Sequence, residues 1–274
     1  MNGYVKNRNK SKPTFANINF IGKCNAKCYF CVGNEAMHVN NNYFCLKWQM
    51  FSNLDKFLKL CKENDINKLY LTGLNTEPSL YKYIDLFVYF LKSRGFKVGI
   101  RTNGLKILNY KGLFNDEVSI SIHSLDDSTN KLIGIDTVDL DSLIKNLKGV
   151  NHRYAILINR YNKEQVLSLI NTLIENDKDL SYIQLRQMCT DYNQDFYEPD
   201  IKAFDYVENL IKTCDDFKCI RNLFGNDCYS YKGKEICMWK PLSSDVNSFN
   251  YFIDGKISTN YFVIESYNDY EKIN

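Results

Sequence analysis

The 274-residue sequence has no long apolar run. Its most apolar stretch, Tyr83 to Leu91, is shorter than the roughly 20 residues a membrane-spanning helix needs, and it carries Asp85. Residues 1–14 lack the apolar segment of a secretory signal. These two absences predict a soluble, cytoplasmic protein with no membrane partner. No excess of charge is present either: the formal net charge is +3, which argues against a broad nucleic-acid surface. The one basic run, Lys6, Arg8, Lys10 and Lys12, reads as a flexible solvated tail over residues 1–14. No internal repeat or low-complexity linker divides the chain. What is abundant is cysteine, with ten residues. In a reducing cytosol, disulfides explain such a count poorly, and metal binding or catalysis explains it better.

The rest of the chain alternates β-rich runs with amphipathic helical runs. Strands are expected over residues 15–21, 68–72, 97–101, 117–123, 154–158 and 182–185. Between them, Leu54, Phe57, Leu58 and Cys61 share one helical face, and residues 81–91 and 166–174 read as further helices. About six β–α units precede residue 213, with connections short enough for right-handed parallel crossovers. The fold class is therefore α/β: a partial (β/α)6 parallel barrel over residues 15–213, followed by a small cysteine-rich extension over residues 214–274. A hairpin is expected in that extension, turning at Asp254-Gly255. In a parallel barrel, functional groups collect at the carboxyl ends of the strands. Here those ends carry a cysteine loop, Gly73, Thr102-Asn103-Gly104 and His123.

Cys24, Cys28 and Cys31 are spaced C-x3-C-x2-C. Three thiolates this close can ligate three corners of a cubane iron–sulfur cluster and leave the fourth iron open to a ligand. Structural zinc wants four protein ligands. The nearest candidates for a fourth, Asn25, His38 and Cys45, have no familiar spacing.

With Phe30 one residue before the last cysteine, this loop after a first strand resembles that of the radical S-adenosylmethionine (radical SAM) superfamily. The resemblance spans roughly residues 15–190. It implies a [4Fe–4S] cluster on Cys24, Cys28 and Cys31, whose open iron chelates S-adenosylmethionine. Electron transfer then yields a 5′-deoxyadenosyl radical that abstracts a substrate hydrogen. It also implies a low-potential electron donor of flavodoxin or ferredoxin type. Residues 71–78 resemble the superfamily's Gly-Gly-Glu-Pro run in expanded form, so Gly73, Asn75, Thr76 and Glu77 are candidates for the methionine amino group. Thr102-Asn103-Gly104 resembles its Thr-Asn-Gly. Ser119, Ser121 and His123 resemble the polar strand that reaches the cofactor, with Asn159 and Arg186 as further contacts. Taken alone, a Thr-Asn-Gly is usually a turn and a single histidine usually structural.

Cys214, Cys219, Cys228 and Cys237 fall in one loop-rich segment, with Cys189 as a fifth candidate. A small region with a thin core needs a staple, and a metal supplies one. The resemblance implies a second [4Fe–4S] cluster in a twitch-like extension; structural zinc and free thiols are the alternatives. Cys61 reads as core, and Cys45 has no assigned role. The leading functional expectation is modification of a peptide by epimerisation or crosslinking. Residues 1–14 are too short for a separate leader-binding domain. The other readings are radical chemistry on a nucleoside, sugar or other small metabolite, activation of a glycyl-radical enzyme, and a non-catalytic iron–sulfur or zinc-binding module.

Overall fold

The computed structural model describes residues 11–36, 43–189 and 194–268. Six strands form where the alternation predicts them: β1 (Ala16–Phe20), β2 (Lys68–Gly73), β3 (Lys97–Thr102), β4 (Val118–Ser121), β5 (His152–Leu157) and β6 (Tyr182–Arg186). Helices α1 (Leu54–Glu63), α2 (Ile84–Ser93), α3 (Tyr110–Leu113), α4 (Asp127–Ile133), α5 (Leu140–Leu147) and α6 (Val166–Asn176) lie between them. Leu54, Phe57, Leu58 and Cys61 are all buried, as the spacing of α1 requires. Two starts are set by aspartate caps: Asp126 accepts from Thr129 N (2.7 Å) and Asp139 from Ser142 N (3.1 Å).

A long helix, α7 (Gln194–Thr213), leads into strands the sequence pattern does not reveal: β7 (Lys218–Leu223), β8 (Asn226–Tyr231) and β9 (Lys234–Trp239). Both turns of this meander are two residues long. Phe224-Gly225 and Lys232-Gly233 have positive φ throughout, as type I′ hairpins demand. The expected hairpin forms from β10 (Phe249–Phe252) and β11 (Ile257–Ser258), followed by α8 (Val263–Asn268).

All eleven strands form one sheet, ordered β11-β10-β1-β2-β3-β4-β5-β6-β9-β8-β7. Every pairing from β10 through β9 is parallel. The C-terminal segment thus supplies a wall strand to each edge of the six-strand core. Residues 240–248 carry the chain between those edges across the open side of the curl. They are tied by Asp245 N to Phe224 O (3.1 Å) and Asn247 Nδ2 to Ser11 O (3.2 Å). The change at residue 213 is a change of topology inside one sheet. Tyr229, Ile236, Met238, Tyr251 and Tyr267 join the same buried cluster as Ile18 and Ile100.

The inner face of this curl is polar. Asn17 and Asn19 of β1 alternate with Ala16, Ile18 and Phe20, and both donate to Asn250 Oδ1 (3.0 and 3.2 Å). The apolar alternates face the helices, where the core lies.

Candidate functional site

Residues 22–31 form an irregular loop at the carboxyl end of β1, pinned from two sides. From the β2 side, Leu74 N donates to Phe20 O (2.9 Å), Gly22 N to Asn75 Oδ1 (3.2 Å) and Thr76 Oγ1 to Lys23 O (2.5 Å). From the end of α4, Gly134 O accepts from Lys27 N (2.7 Å) and Ile133 O from Tyr29 N (3.0 Å). Gly73 permits the tight turn after β2, since a Cβ there would lie 1.7 Å from Thr76 O. Below the loop, Phe30, Ile133, Met188 and Tyr197 form a small apolar cluster of their own. The Tyr29 hydroxyl donates to Asp200 on α7 (2.7 Å).

Cys24 is exposed, and Cys28 and Cys31 are part-buried. Burial pushes the Cys28 thiol up to about 12, and Cys31 and Cys24 push the same way. Burial likewise raises Cys24 and Cys31. Cys31 opposes ionisation of both Cys24 and Cys28, and Cys24 that of Cys28, a situation a cationic iron cluster would relieve. The donor set fits the implied [4Fe–4S] group.

Glu77 and Thr102-Asn103 prove to be one structural unit. The buried Glu77 carboxylate accepts from Thr102 Oγ1 (2.5 Å), Asn103 N (2.8 Å) and Ser79 N (3.0 Å). Asn103 Nδ2 in turn donates to Asn25 Oδ1 (2.8 Å) inside the cysteine loop. The ends of β2 and β3 and the cysteine loop are therefore tied through one carboxylate. Burial raises the Glu77 carboxyl, against the pull of its hydrogen bonds. Oε1 takes two donors and Oε2 one, so Oε2 retains a lone pair suited to an ammonium group.

His123 follows β4 and stands edge-on to Phe30, with ring centroids 5.0 Å apart. Its Nδ1 accepts from Leu157 N (3.2 Å), which assigns the ring proton to Nε2. Burial, then the nearby Arg186, lowers its pKa to about 4, so the ring is neutral at physiological pH. The Ser121 hydroxyl lies on the inner face, half-buried.

Several residues expected at the site have protein partners. Thr76, Thr102 and Asn103 spend their side chains on the loop ties above, and Thr102 Oγ1 also accepts from Gly104 N (3.2 Å). Asn75 gives its carbonyl oxygen to Gly22. These hydrogen bonds help hold the cysteine loop and the ends of β2 and β3 in shape. Asn159 is fully buried and turned into its own loop: it accepts from Tyr161 N (2.9 Å) and donates to Leu157 O (3.2 Å). The C-terminal cysteines do not converge as a four-thiol set. Cys228 and Cys237 face each other across β8 and β9 and are joined in a disulfide. Cys219 pairs opposite Tyr229, the neighbour of Cys228, so the pleat puts it on the other face of the sheet. Cys214 packs against the main core at the end of α7. His38 and the tail residues Lys6, Arg8 and Lys10 lie outside the described residues.

Sequence reasoning overlooked Arg101 and Arg153, both on the inner face. Two clefts meet at this face. The upper reaches from Val32 and Glu35 beside the cysteine loop to Arg101 and Arg186. The lower adds Arg153, Gln184 and Glu117. The available signal was an arginine at an inward alternate of an otherwise strand-like run, as in Lys97–Thr102.

Comparison with known proteins agrees with this geometry. The model of the Radical SAM superfamily matches residues 18–173, more than half of the chain. A S-adenosylmethionine-dependent nucleotide dehydratase of Thermoplasmatales archaeon (strain ISO4-H5) is 30% identical over 148 residues, covering 52% of this chain and 50% of that protein. A GTP 3′,8-cyclase of Clostridium perfringens (strain 13 / Type A) is 27% identical over 198 residues, covering 66% of this chain and 58% of the cyclase. The chain thus spans between half and three-fifths of these relatives. Among solved structures, Streptococcus suis SuiB bound to its precursor peptide SuiA superposes with a TM-score of 0.66 at 16% identity, covering 97% of this chain and 63% of SuiB. That likeness speaks for the fold. The chain belongs to the radical SAM superfamily, whose members are enzymes that use a [4Fe–4S] cluster and S-adenosylmethionine. Among the described residues, no helix is long and apolar enough to cross a membrane.

Proposed function

We propose that this chain performs radical SAM chemistry on a small metabolite held inside the barrel. Cys24, Cys28 and Cys31 hold the cluster, and the Glu77 carboxylate, Ser121 and His123 Nε2 are the groups left to face S-adenosylmethionine. Bound there, the cluster and S-adenosylmethionine supply a 5′-deoxyadenosyl radical that abstracts a substrate hydrogen. The chain's own part is positional. Glu77 holds two strand ends and the cysteine loop in one frame, while neutral His123 offers an N–H donor without adding charge. The polar inner face carries the reading. It forms a cleft that starts at the cysteine loop and runs to Arg101 and Arg186, offering polar groups to a ligand held inside. A low-potential donor of the flavodoxin or ferredoxin type would deliver the electron.

Peptide modification drew its support from a second cluster on the C-terminal cysteines. Cys228 is bonded to Cys237 and Cys219 lies on the opposite face, so these cysteines do not form one ligand set, and the peptide reading rests instead on the likeness in fold to peptide-bound SuiB. The test is anaerobic reconstitution followed by reduction with dithionite in the presence of S-adenosylmethionine. About four irons per chain and 5′-deoxyadenosine are expected, with both lost in Cys24→Ala. Intact S-adenosylmethionine over an iron-loaded protein would overturn the proposal.

A further inference from the structure

Arginine is costly inside a barrel unless each guanidinium finds an acceptor. Three arginines line the inner face here, and their pairing is incomplete. On the sheet, Arg101 of β3 lies opposite Ser119 of β4, and Ser119 lies opposite Arg153 of β5. One row therefore reads arginine, serine, arginine, with a small side chain leaving space between two long cations. Arg186 stands further along β6, opposite Leu157.

Arg153 is provided for. Its Nε donates to Glu117 Oε1 (2.8 Å), its Nη1 reaches Gln184 Oε1, and the Tyr182 hydroxyl closes on Glu117 Oε2 (3.0 Å). Arg101 and Arg186 have no such partner: the Nε of each is buried with no hydrogen-bond acceptor, and no described carboxylate lies within ion-pair distance of either. Arg101 is instead held against the rings of Phe15 and Tyr70, at 5.3 and 5.1 Å, which fixes its direction without neutralising it. Burial, with Arg153 close by, keeps its guanidinium below the ordinary range. Glu35 and Glu265 stand at the wall of the upper cleft, where Glu265 accepts from Asn260 Nδ2 (2.8 Å).

Arg153 is paired with Glu117, whereas the guanidiniums of Arg101 and Arg186 have no ion-pair partner among the described residues and face the space the clefts share. A lone carboxylate ligand would compensate one of them. A phosphate monoester carries about −1.5 to −2 at neutral pH and offers three acceptor oxygens to guanidinium forks. We infer that Arg101, Arg153 and Arg186 bind the phosphate group of a small phosphorylated substrate inside the barrel. This inference rests on the small-metabolite reading above. It places the phosphate among the arginines and points the remainder of the molecule along the upper cleft toward Val32 and Glu35.

The test uses the reconstituted full chain under anaerobic conditions, with inorganic phosphate and pyrophosphate as probes and succinate and chloride as controls at matched ionic strength. Pyrophosphate should raise the melting temperature of the parent, more than succinate or chloride does. Its dissociation constant should weaken about tenfold or more in Arg101→Gln and in Arg186→Gln, the size of one lost charge-assisted pair. Far-UV circular dichroism checks that each variant is folded. An equal response to succinate, no response to either phosphate probe, or undiminished binding in both folded variants would overturn the inference. The same preparation is assayed for 5′-deoxyadenosine. Cleavage without a phosphate response defeats this inference alone, whereas absent cleavage defeats the reading beneath it.

Discussion

Replacing Glu77 with glutamine tests whether one carboxylate frames the site. The side chain is 3% exposed and accepts three hydrogen bonds, from Ser79 N, Thr102 Oγ1 and Asn103 N. Glutamine keeps one acceptor oxygen, which can retain Ser79 N and Thr102 Oγ1. Its amide NH2 then faces the Asn103 N–H, donor against donor. Losing one hydrogen bond to a charged group costs about 1.5–3 kcal/mol, and stranding a buried N–H about 1–3 more. Removing the desolvation penalty that raises this carboxyl offsets part of the loss. The expected net destabilisation is about 2–4 kcal/mol, or about 1 M in urea midpoint for a slope near 3 kcal/mol/M. The pH dependence has a definite sign. A carboxyl raised above its ordinary 4.5 binds a proton more readily in the folded state. Stability from this group is therefore present below about that pH and falls as pH rises through the folded value. The glutamine variant should lack that decline. S-adenosylmethionine binding should weaken together with stability, because Asn103 also holds Asn25 in the cysteine loop. Urea unfolding and equilibrium binding read the two separately. A variant that unfolds at the parent's midpoint but no longer binds S-adenosylmethionine would refute the framing role and leave Glu77 as a ligand contact only.

His123, held at about 4 against an ordinary 6.5, contributes stability that is present above pH 6.5 and is lost as pH falls toward 4. The full effect is about 3 kcal/mol, and His123→Gln should flatten unfolding free energy measured between pH 7 and 4.5. The Cys228–Cys237 pairing predicts that Cys228→Ala retains the parent's iron content after reconstitution. A fall by about half would restore the second cluster.

Local signals carried the first six strands, the buried face of α1 and the cysteine loop, because each is written within a few residues. The alternation of Asn17 and Asn19 with Ile18 puts the two asparagines on the inner face, a feature the strand reading alone did not draw out. What was illegible depends on register or on distant pairing. Arg101 and Arg153 drew no reading of their own, because only the pairing of β3, β4 and β5 puts them in one inward row. The β7–β9 meander turns at Phe224-Gly225 and Lys232-Gly233, neither of which has the asparagine or aspartate that usually marks such a turn. The C-terminal cysteines looked like one ligand set because they fall in one short segment. Pleat direction and a bulge between Cys219 and Arg221 separate them. Glu77 was picked out as a cofactor contact, but its link to Thr102 and Asn103 crosses two strands and has no local signature.

The parallel docking of β10 on β1 also bears on how the protein is made. Asn17 and its acceptor Asn250 are 233 residues apart. At ordinary elongation rates the first strand waits roughly 10–50 s on the ribosome for its outer neighbour, its edge bare meanwhile. The backbone ties of the cysteine loop, by contrast, reach no further than Gly134. In a nascent chain, the loop can be shaped while one wall of the barrel has yet to be synthesised. The backbone frame of the cysteine loop can thus form early, while its packing against Met188, Tyr197 and Asp200 and the closing wall strand come later.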